Sequence, residues 1–98
     1  MSQNPADAVA VRTSDNVATL LRAVQQGETV GVACSGARFD IVAEQDIAFC
    51  HKIALTDLAP GDRIVKYGEA IGEATLRIGA GAWVHVHNMR SLRGRAPG

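Results

Sequence analysis

Leu58-Ala59-Pro60-Gly61-Asp62-Arg63-Ile64 has a spacing that indicates how this chain folds. An apolar residue, two positions, a glycine, two positions and a second apolar residue also occur at Val24-x-x-Gly27-x-x-Val30 and at Ile78-x-x-Gly81-x-x-Val84. Glycine adopts a positive φ without a Cβ clash, so each copy can reverse the chain and deliver apolar residues to the core on either side. The copies start 34 and then 20 residues apart, which argues against a solenoid. We therefore predict a pseudo-symmetric body of short strands joined by turns.

The composition fits one small globular domain. With 98 residues, of which 47% are hydrophobic, the chain can bury roughly 60–70% of the surface that its unfolded form exposes. Ten basic and ten acidic residues cancel, and no block of like charge has the footprint of a nucleic-acid-binding protein. No apolar run reaches the roughly 20 residues that cross a bilayer, and the first residues do not resemble an export signal. We expect a cytoplasmic protein without nucleic-acid or membrane partners.

The domain boundaries follow from composition. We predict a flexible arm over residues 1–13, an ordered domain over 14–91 and a flexible tail over 92–98, because both ends are rich in polar or small residues and contain proline. Arg90, Arg93 and Arg95 make the end of the chain locally basic, and we interpret them as solvated. Cys34 and Cys50 have the spacing of neither a disulfide framework nor a zinc finger, so both are expected to be reduced thiols.

One helix is predicted at the start of the domain. Ser14 or Asp15 can accept hydrogen bonds from the first free amides, and Gly27 can supply a left-handed stop. The apolar residues between them have the spacing of one buried helical face: Val17, Leu20, Leu21 and Val24.

The remainder of the domain has the pattern of short strands. Residues 29–34 and 38–43 are β-branched and apolar, and Ser35-Gly36-Ala37 between them indicates a hairpin. Residues 63–67 alternate before Gly68, and Ala70-Ile71 starts another strand. With six or seven short strands and one helix, the prediction is a mainly β domain rather than a βαβ layout.

Three histidines lie in two tracts, Cys50-His51-Lys52 and Trp83-Val84-His85-Val86-His87-Asn88. The second tract alternates like a strand, which places Trp83, His85 and His87 on one side and packs the two valines on the other. The two imidazoles would then lie roughly 6–7 Å apart, at a rise of about 3.3 Å per residue. Such a pair can ligate a divalent metal, or one ring can act as acid or base while the other orients substrate. A solvated surface pair is the alternative.

Other polar groups admit two interpretations. Lys52 and Lys66 can each hold a carboxylate as a fixed cation, although a lysine at a strand edge also prevents aggregation. The segment Lys66-Tyr67-Gly68-Glu69 carries more reactive groups than a turn requires, so turn chemistry and site chemistry both remain open there. Cys50 beside His51 suggests a nucleophile, but adjacent strand residues point to opposite faces, and we expect a buried structural thiol.

Several strings of the chain resemble the SAF domain at the start of altronate and galactarate dehydratases. They are His51-Lys52-Ile53-Ala54-Leu55, Gly61, Val65-Lys66-Tyr67-Gly68-Glu69, Ile71-Gly72 and Val84-His85-Val86-His87-Asn88. The resemblance spans residues 14–91 and departs at Ala48 and Cys50, where the family usually has proline and glycine. A cysteine in place of that glycine restricts the turn ahead of His51.

The resemblance implies a β-clip fold and a role in removing water, or sulfite in the related sulfolactate sulfo-lyase, from a 2-hydroxy acid or sugar acid. It also implies a separate large dehydratase-like catalytic subunit and a divalent metal, with iron expected, shared with that subunit. The matched positions give His51, His85 and His87 as catalytic residues, with His85 and His87 also as metal ligands. The substrate-binding positions are Lys52, Lys66, Tyr67, Glu69 and Asn88.

The hypothesis is therefore a small subunit of a hydroxy-acid lyase that is inactive alone. A first alternative is a non-catalytic β-clip adaptor that only stabilises or caps its partner. A second is a free-standing metal-binding or sugar-acid-binding protein, which ligand would stabilise. Exposed strand edges in a small β domain also suggest a homo-oligomer.

Overall fold

The computed structural model describes residues 5–92, and this part of the chain is mainly β as predicted. Its nine strands are β1 (Ala8–Ala10), β2 (Val17–Leu20), β3 (Thr29–Cys34), β4 (Ala37–Val42), β5 (Lys52–Ala54), β6 (Arg63–Lys66), β7 (Glu69–Ala74), β8 (Trp83–Val84) and β9 (Met89–Ser91). They form a six-stranded sheet in the order β4-β3-β1-β2-β5-β8 and a three-stranded sheet in the order β6-β7-β9. This arrangement fits the β-clip class. Residues 5–92 contain no α-helix, and so no helix able to span a membrane.

The predicted N-terminal helix is wrong. Its segment forms β2 and the turn that follows, and Leu21, assigned to the buried helical face, is half exposed at 50%. The reason is that β2 lies between two hydrophobic cores: Val17 packs in one and Ala18 in the other. A strand buried on both faces has a continuous apolar sequence, which periodicity cannot distinguish from a helix.

A strand lies within residues 1–13, which were predicted as an N-terminal arm. Ala8–Ala10, within the segment assigned to a flexible arm, forms β1 between β2 and β3, antiparallel to the first and parallel to the second. Ala8 and Ala10 are both buried in the first core, where their small side chains pack between the neighbouring strands. Of the predicted tail, Leu92 donates its amide to the carbonyl of Ile71. Residues 1–4 and 93–98, including Arg93 and Arg95, lie outside the described part of the chain.

The glycine repeat forms the same kind of turn at all three predicted positions. We call each apolar–x–x–Gly–x–x–apolar unit a turn module. Gly27, Gly61 and Gly81 have φ values of 88°, 91° and 89°. Each glycine amide donates to a carbonyl at a strand end, as Gly61 does to Ala74 over 2.7 Å. The pattern of turn, glycine and emerging strand is therefore confirmed.

A fourth copy of the module was missed because it has a cysteine in place of glycine. Ile47-x-x-Cys50-x-x-Ile53 has the same spacing, Cys50 has a φ of 71°, and its amide donates to Leu20. The four modules pair through the bridges Val24 to Ile47 and Leu58 to Ile78. The pairing gives the domain its pseudo-symmetry, with one core on each side of β2 and β5.

The two hairpins have similar turns. The predicted hairpin over 29–43 is confirmed as β3 and β4, and the β6–β7 hairpin follows the same plan. Both two-residue turns, Ser35-Gly36 and Tyr67-Gly68, have positive φ at both positions, as type I′ turns require. The second turn places Lys66 and Glu69 opposite each other.

Candidate functional site

Trp83 and the three histidines form one ring cluster at the edge of the six-stranded sheet. Strand β8 pairs with β5 so that Trp83 lies opposite Ile53, which brings His51, just ahead of β5, beside the indole. The ring centroids of His51 and His85 are 4.9 Å apart. The indole of Trp83 stacks on His85 at 5.2 Å and contacts His87 at 4.7 Å. We call these four residues the ring cluster.

The rings of Trp83, His85 and His87 converge through a turn and not through the strand alternation that was predicted. Strand β8 ends at Val84, residues 85–88 form a turn, and Val86 is 77% exposed instead of packing inward. The buried side chain of Asn88 accepts the amide of His85 and donates to the carbonyl of Trp83. Asparagine favours turns because it satisfies nearby backbone groups in this way. Asn88, predicted as a substrate-binding residue, thus fixes the turn that carries His85 and His87.

His51 is held in one tautomer by the tryptophan. Trp83 Nε1 donates to His51 Nδ1 over 2.9 Å. An indole N–H can only donate, so this ring nitrogen accepts and the neutral imidazole carries its proton on Nε2. Gln45 positions the donor strand by accepting the amide of Trp83 at 3.1 Å, a contact that no motif in the sequence indicated.

His85 is biased toward its neutral form. Burial lowers the pKa of His85 below its ordinary value, and the nearby charge of Lys52 lowers it further. A neutral imidazole near neutral pH has a free lone pair, so His85 is suited to accept a proton.

Lys52 begins β5 directly after His51 and lies close enough for its charge to lower the pKa of His85. Burial lowers the pKa of Lys52, and the charge of Lys66 lowers it further. In the sheet Lys52 lies opposite Thr19, whose buried Oγ1 has no hydrogen-bond partner within the described residues. Two neighbouring ammonium groups favour an anionic ligand such as a carboxylate.

Tyr67 and Glu69 lie apart from the ring cluster. With Ile71, Met89 and Ser91 they line a hollow of about 490 Å³, to which Lys66 also contributes. The ammonium of Lys66 lies 4.9 Å from the centroid of the Tyr67 ring. Of the eight predicted site residues, the structure brings the three histidines together in the ring cluster. Lys52 acts on His85 through its charge, and Asn88 holds the turn of His85 and His87. Lys66, Tyr67 and Glu69 line the separate hollow.

Asp15 holds this hairpin in place and was missed as a site-positioning residue. It is buried, and its carboxylate accepts the amides of Val11, Arg12 and Gly68 at 2.8–3.2 Å. Burial raises the pKa of Asp15, but these amide hydrogen bonds outweigh it and leave the pKa lowered overall. The predicted helix cap is instead an ionised clamp between the segment after β1 and the Tyr67-Gly68 turn.

His85 and His87, which were predicted as metal ligands, both lie in the ring cluster. Within residues 5–92 no group of three or more histidine, cysteine, aspartate or glutamate side chains is placed to hold a metal ion. One reason is that His51 Nδ1 is already engaged by Trp83.

Cys50 is exposed, which corrects the predicted buried thiol, whereas Cys34 is the buried one. Both are free thiols, as expected. The positive φ of Cys50 creates a turn directly before His51. The turn directs the chain into β5 and positions the imidazole of His51 beside Trp83.

Fold and site together define a small mainly β module whose three imidazoles gather at one edge of the six-stranded sheet. The family model described as the altronate/galactarate dehydratase SAF domain matches residues 6–92. The chain belongs to this family.

The relatives are of two sizes. The chain is 40% identical over 83 residues to altronate dehydratase of Escherichia coli (strain K12), which covers 85% of the chain and 16% of that enzyme. It is 38% identical over 86 residues to altronate dehydratase of Bacillus subtilis (strain 168), again covering 85% of the chain and 16% of that enzyme. It is 37% identical over 62 residues to the (2R)-sulfolactate sulfo-lyase subunit alpha of Paracoccus pantotrophus, covering 63% of the chain and 92% of that subunit. The chain thus spans only a small part of the altronate dehydratases but nearly all of a sulfo-lyase subunit.

Proposed function

We propose that this chain is the small, SAF-domain subunit of an altronate dehydratase-type hydroxy-acid or sugar-acid lyase. In this proposal the ring cluster and the two lysines form one wall of an active site that a larger catalytic chain completes. The observation that carries it is the convergence of three imidazoles around Trp83, with Lys52 close enough for its charge to bias His85 toward the neutral form.

The sizes of the relatives support a two-chain enzyme. A domain of this family makes up 16% of the altronate dehydratases that the chain matches, so most of each enzyme lies outside it. The matched sulfo-lyase protein is named as a subunit and has 92% of its length aligned with this chain. A separate large chain as partner is consistent with both.

The chemistry of an elimination assigns a role to each group. A base must take the proton on the carbon next to the substrate carboxylate, and the leaving hydroxyl must be protonated so that it departs as water. In this proposal neutral His85 accepts the first proton, and the Nε2–H of His51 donates the second. Lys52 and Lys66 would hold the carboxylate as a cationic clamp.

A shared divalent metal remains part of the proposal, but the described residues do not form its site. His85 and His87 can supply two imidazoles at most, so the larger chain would provide the other ligands. The roles given above to His51, His85 and the lysines depend only on this chain's own side chains.

Reconstitution with a large dehydratase-like chain tests the proposal. Turnover of sugar acids or 2-hydroxy acids is expected only when both chains are present. Lys52→Gln should raise KM by on the order of tenfold or more, because a hydrogen bond to a charged group contributes about 1.5–3 kcal/mol. Arg77→Gln is the matched control, since exposed Arg77 lines a different hollow beside Asp57 and Asp62. Equal turnover by the large chain alone would contradict the proposal.

The non-catalytic adaptor remains the second candidate, favoured by one observation. His51 and Trp83 also line an apolar groove of about 490 Å³ with Val24, Ile47 and Ala48, a surface suited to binding another chain. In that case Lys52→Gln would leave KM unchanged and weaken only the assembly of the two chains.

A further inference from the structure

Two side-chain amides bind the backbone of Trp83 in β8. This strand is the last of the six-stranded sheet, and Trp83 lies opposite Ile53 of β5. The amide of Trp83 donates to Gln45 Oε1 over 3.1 Å, and its carbonyl accepts Asn88 Nδ2 over 2.8 Å. Both backbone groups of Trp83 are therefore satisfied by side chains at the end of the sheet.

The two side-chain amides differ in what else they hold. Asn88 also accepts the amide of His85, so it belongs to the turn that carries this histidine. Gln45 comes from the bend after β4, 38 positions earlier in the chain than Trp83, and binds the backbone ahead of that turn. Replacing Gln45 therefore tests the placement of Trp83 while the hydrogen bonds of Asn88 stay available.

The backbone on either side of Gln45 is held by the turn modules. The amide of Glu44 donates to the carbonyl of Gly81 at 2.9 Å, and Ile47 and Val24 exchange two hydrogen bonds of 2.9 Å. The side chain of Gln45 is partly buried. Because both flanks are bonded, Gln45 offers Trp83 an acceptor at a fixed position.

The position of Trp83 decides how the three imidazoles are presented. Its ring stacks on His85 with an interplanar angle of 13° and lies 4.7 Å from the centroid of His87, while its Nε1 donates to His51 Nδ1 over 2.9 Å. The hydrogen bond is the most directional of these contacts, since the N–H must point at the lone pair of the acceptor. A shift of β8 would break it, and the proton of neutral His51 could then occupy either nitrogen.

We propose that Gln45 is a positioning residue of the proposed active site. By holding the backbone of Trp83, Gln45 aims the indole N–H at Nδ1 of His51 and so keeps the imidazole proton on Nε2. The link from Gln45 to the tautomer of His51 depends only on contacts within this chain. Its consequence for turnover rests on the proposed function, which uses the Nε2–H of His51.

Nuclear magnetic resonance of the full chain tests this link without a partner. The chain has one tryptophan, so a single indole N–H signal reports the bond to His51. In mildly alkaline buffer, where histidine is neutral, the ¹⁵N shifts of the imidazole report its tautomer. Gln45→Leu should move the indole signal toward that of a solvated tryptophan and give His51 a mixture of tautomers.

Two further variants separate the hydrogen bond from general packing. Gln45→Glu keeps an acceptor at the same distance along the side chain and should keep the wild-type indole signal and tautomer. Trp83→Phe lacks the N–H donor but keeps an aromatic ring, so it should give His51 the same mixture of tautomers as Gln45→Leu. Circular dichroism checks that each variant is folded.

Kinetics of the reconstituted complex test the consequence for turnover. Gln45→Leu should lower kcat about fivefold at unchanged KM, the loss expected for one neutral hydrogen bond, and Gln45→Glu should restore most of it. Gln26→Leu is the matched control, since exposed Gln26 lines a different hollow and should change neither the signals nor kcat.

The two measurements fail in distinguishable ways. A wild-type indole signal and tautomer in Gln45→Leu would overturn the inference, as would a wild-type kcat in a variant whose His51 tautomer has changed. A wild-type complex without turnover would overturn the proposed function, while the expected resonance changes would still support the link from Gln45 to His51.

Discussion

Cys50 shows how one residue can hide a structural repeat. Its φ of 71° and its amide bond to Leu20 match the glycines of the other turn modules. A residue with a Cβ in this left-handed region costs roughly 1–2 kcal/mol relative to glycine. The chain therefore carries a strained turn directly ahead of His51, at the point where β5 begins.

Replacing this cysteine by glycine is expected to stabilise the protein. Cys50→Gly should raise the free energy of unfolding by about 1 kcal/mol, because glycine relieves the strain of the left-handed backbone. Urea denaturation measures the change. Cys50→Ala is the control: it removes the same exposed thiol but keeps a Cβ, so its stability should stay close to that of the wild type. Equal gains in the two variants would contradict the explanation.

At the same scale, the candidate site could be predicted only in part from the sequence. The rings of Trp83, His85 and His87 do converge, but through the Asn88 turn and not through a six-residue strand. An alternating sequence indicates which side chains share a face. It does not indicate that the hydrogen bonds of Asn88 end β8 at Val84. The approach of His51 depends on strand pairing between distant segments, which one sequence cannot show.

Among the elements, β2 explains the main error of the sequence-based prediction. Apolar residues on both faces of a strand resemble a helical face when read in one dimension, and Val17 and Leu20 fit either pattern. The hairpins were predictable because the two-residue turns and their glycines report local backbone geometry directly. The burial of both faces of β2 depends on how the two cores assemble around it, so it cannot be predicted from the sequence of this segment alone.

The turn modules yield a matched pair of substitutions. Gly61 and Gly81 have nearly equal φ values, but a Cβ at Gly61 meets nothing within 4 Å, whereas one at Gly81 would lie 2.0 Å from the carbonyl oxygen of Val42. Gly61→Ala should therefore cost only the backbone strain, about 1–2 kcal/mol. Gly81→Ala should cost about 1–3 kcal/mol more, because backbone atoms must move. Thermal or urea unfolding of both variants measures the difference, and equal losses would contradict the close approach of Gly81 to Val42.

The whole molecule is organised around two cores with β2 and β5 between them. Strand β5 contacts both, since Ile53 packs in the first core and Ala54 in the second. Asn16 ties the two sheets together, donating from its side chain to Arg63 and accepting from Val65. Lys52 begins β5 and is therefore carried by a strand that packs against both cores, whereas His85 and His87 depend on the turn that Asn88 holds.

The central claim is that His85 acts in the reaction of a two-chain enzyme. The measurement that tests it most directly is kcat of the reconstituted complex, with the small subunit at saturating concentration. His85→Gln should lower kcat by about 100-fold or more, as expected for loss of a general base, while the dissociation constant between the chains stays unchanged. Val86→Ala, in the same turn and 77% exposed, should leave kcat at the wild-type value. An unchanged kcat in His85→Gln, with weaker binding between the chains, would contradict the account.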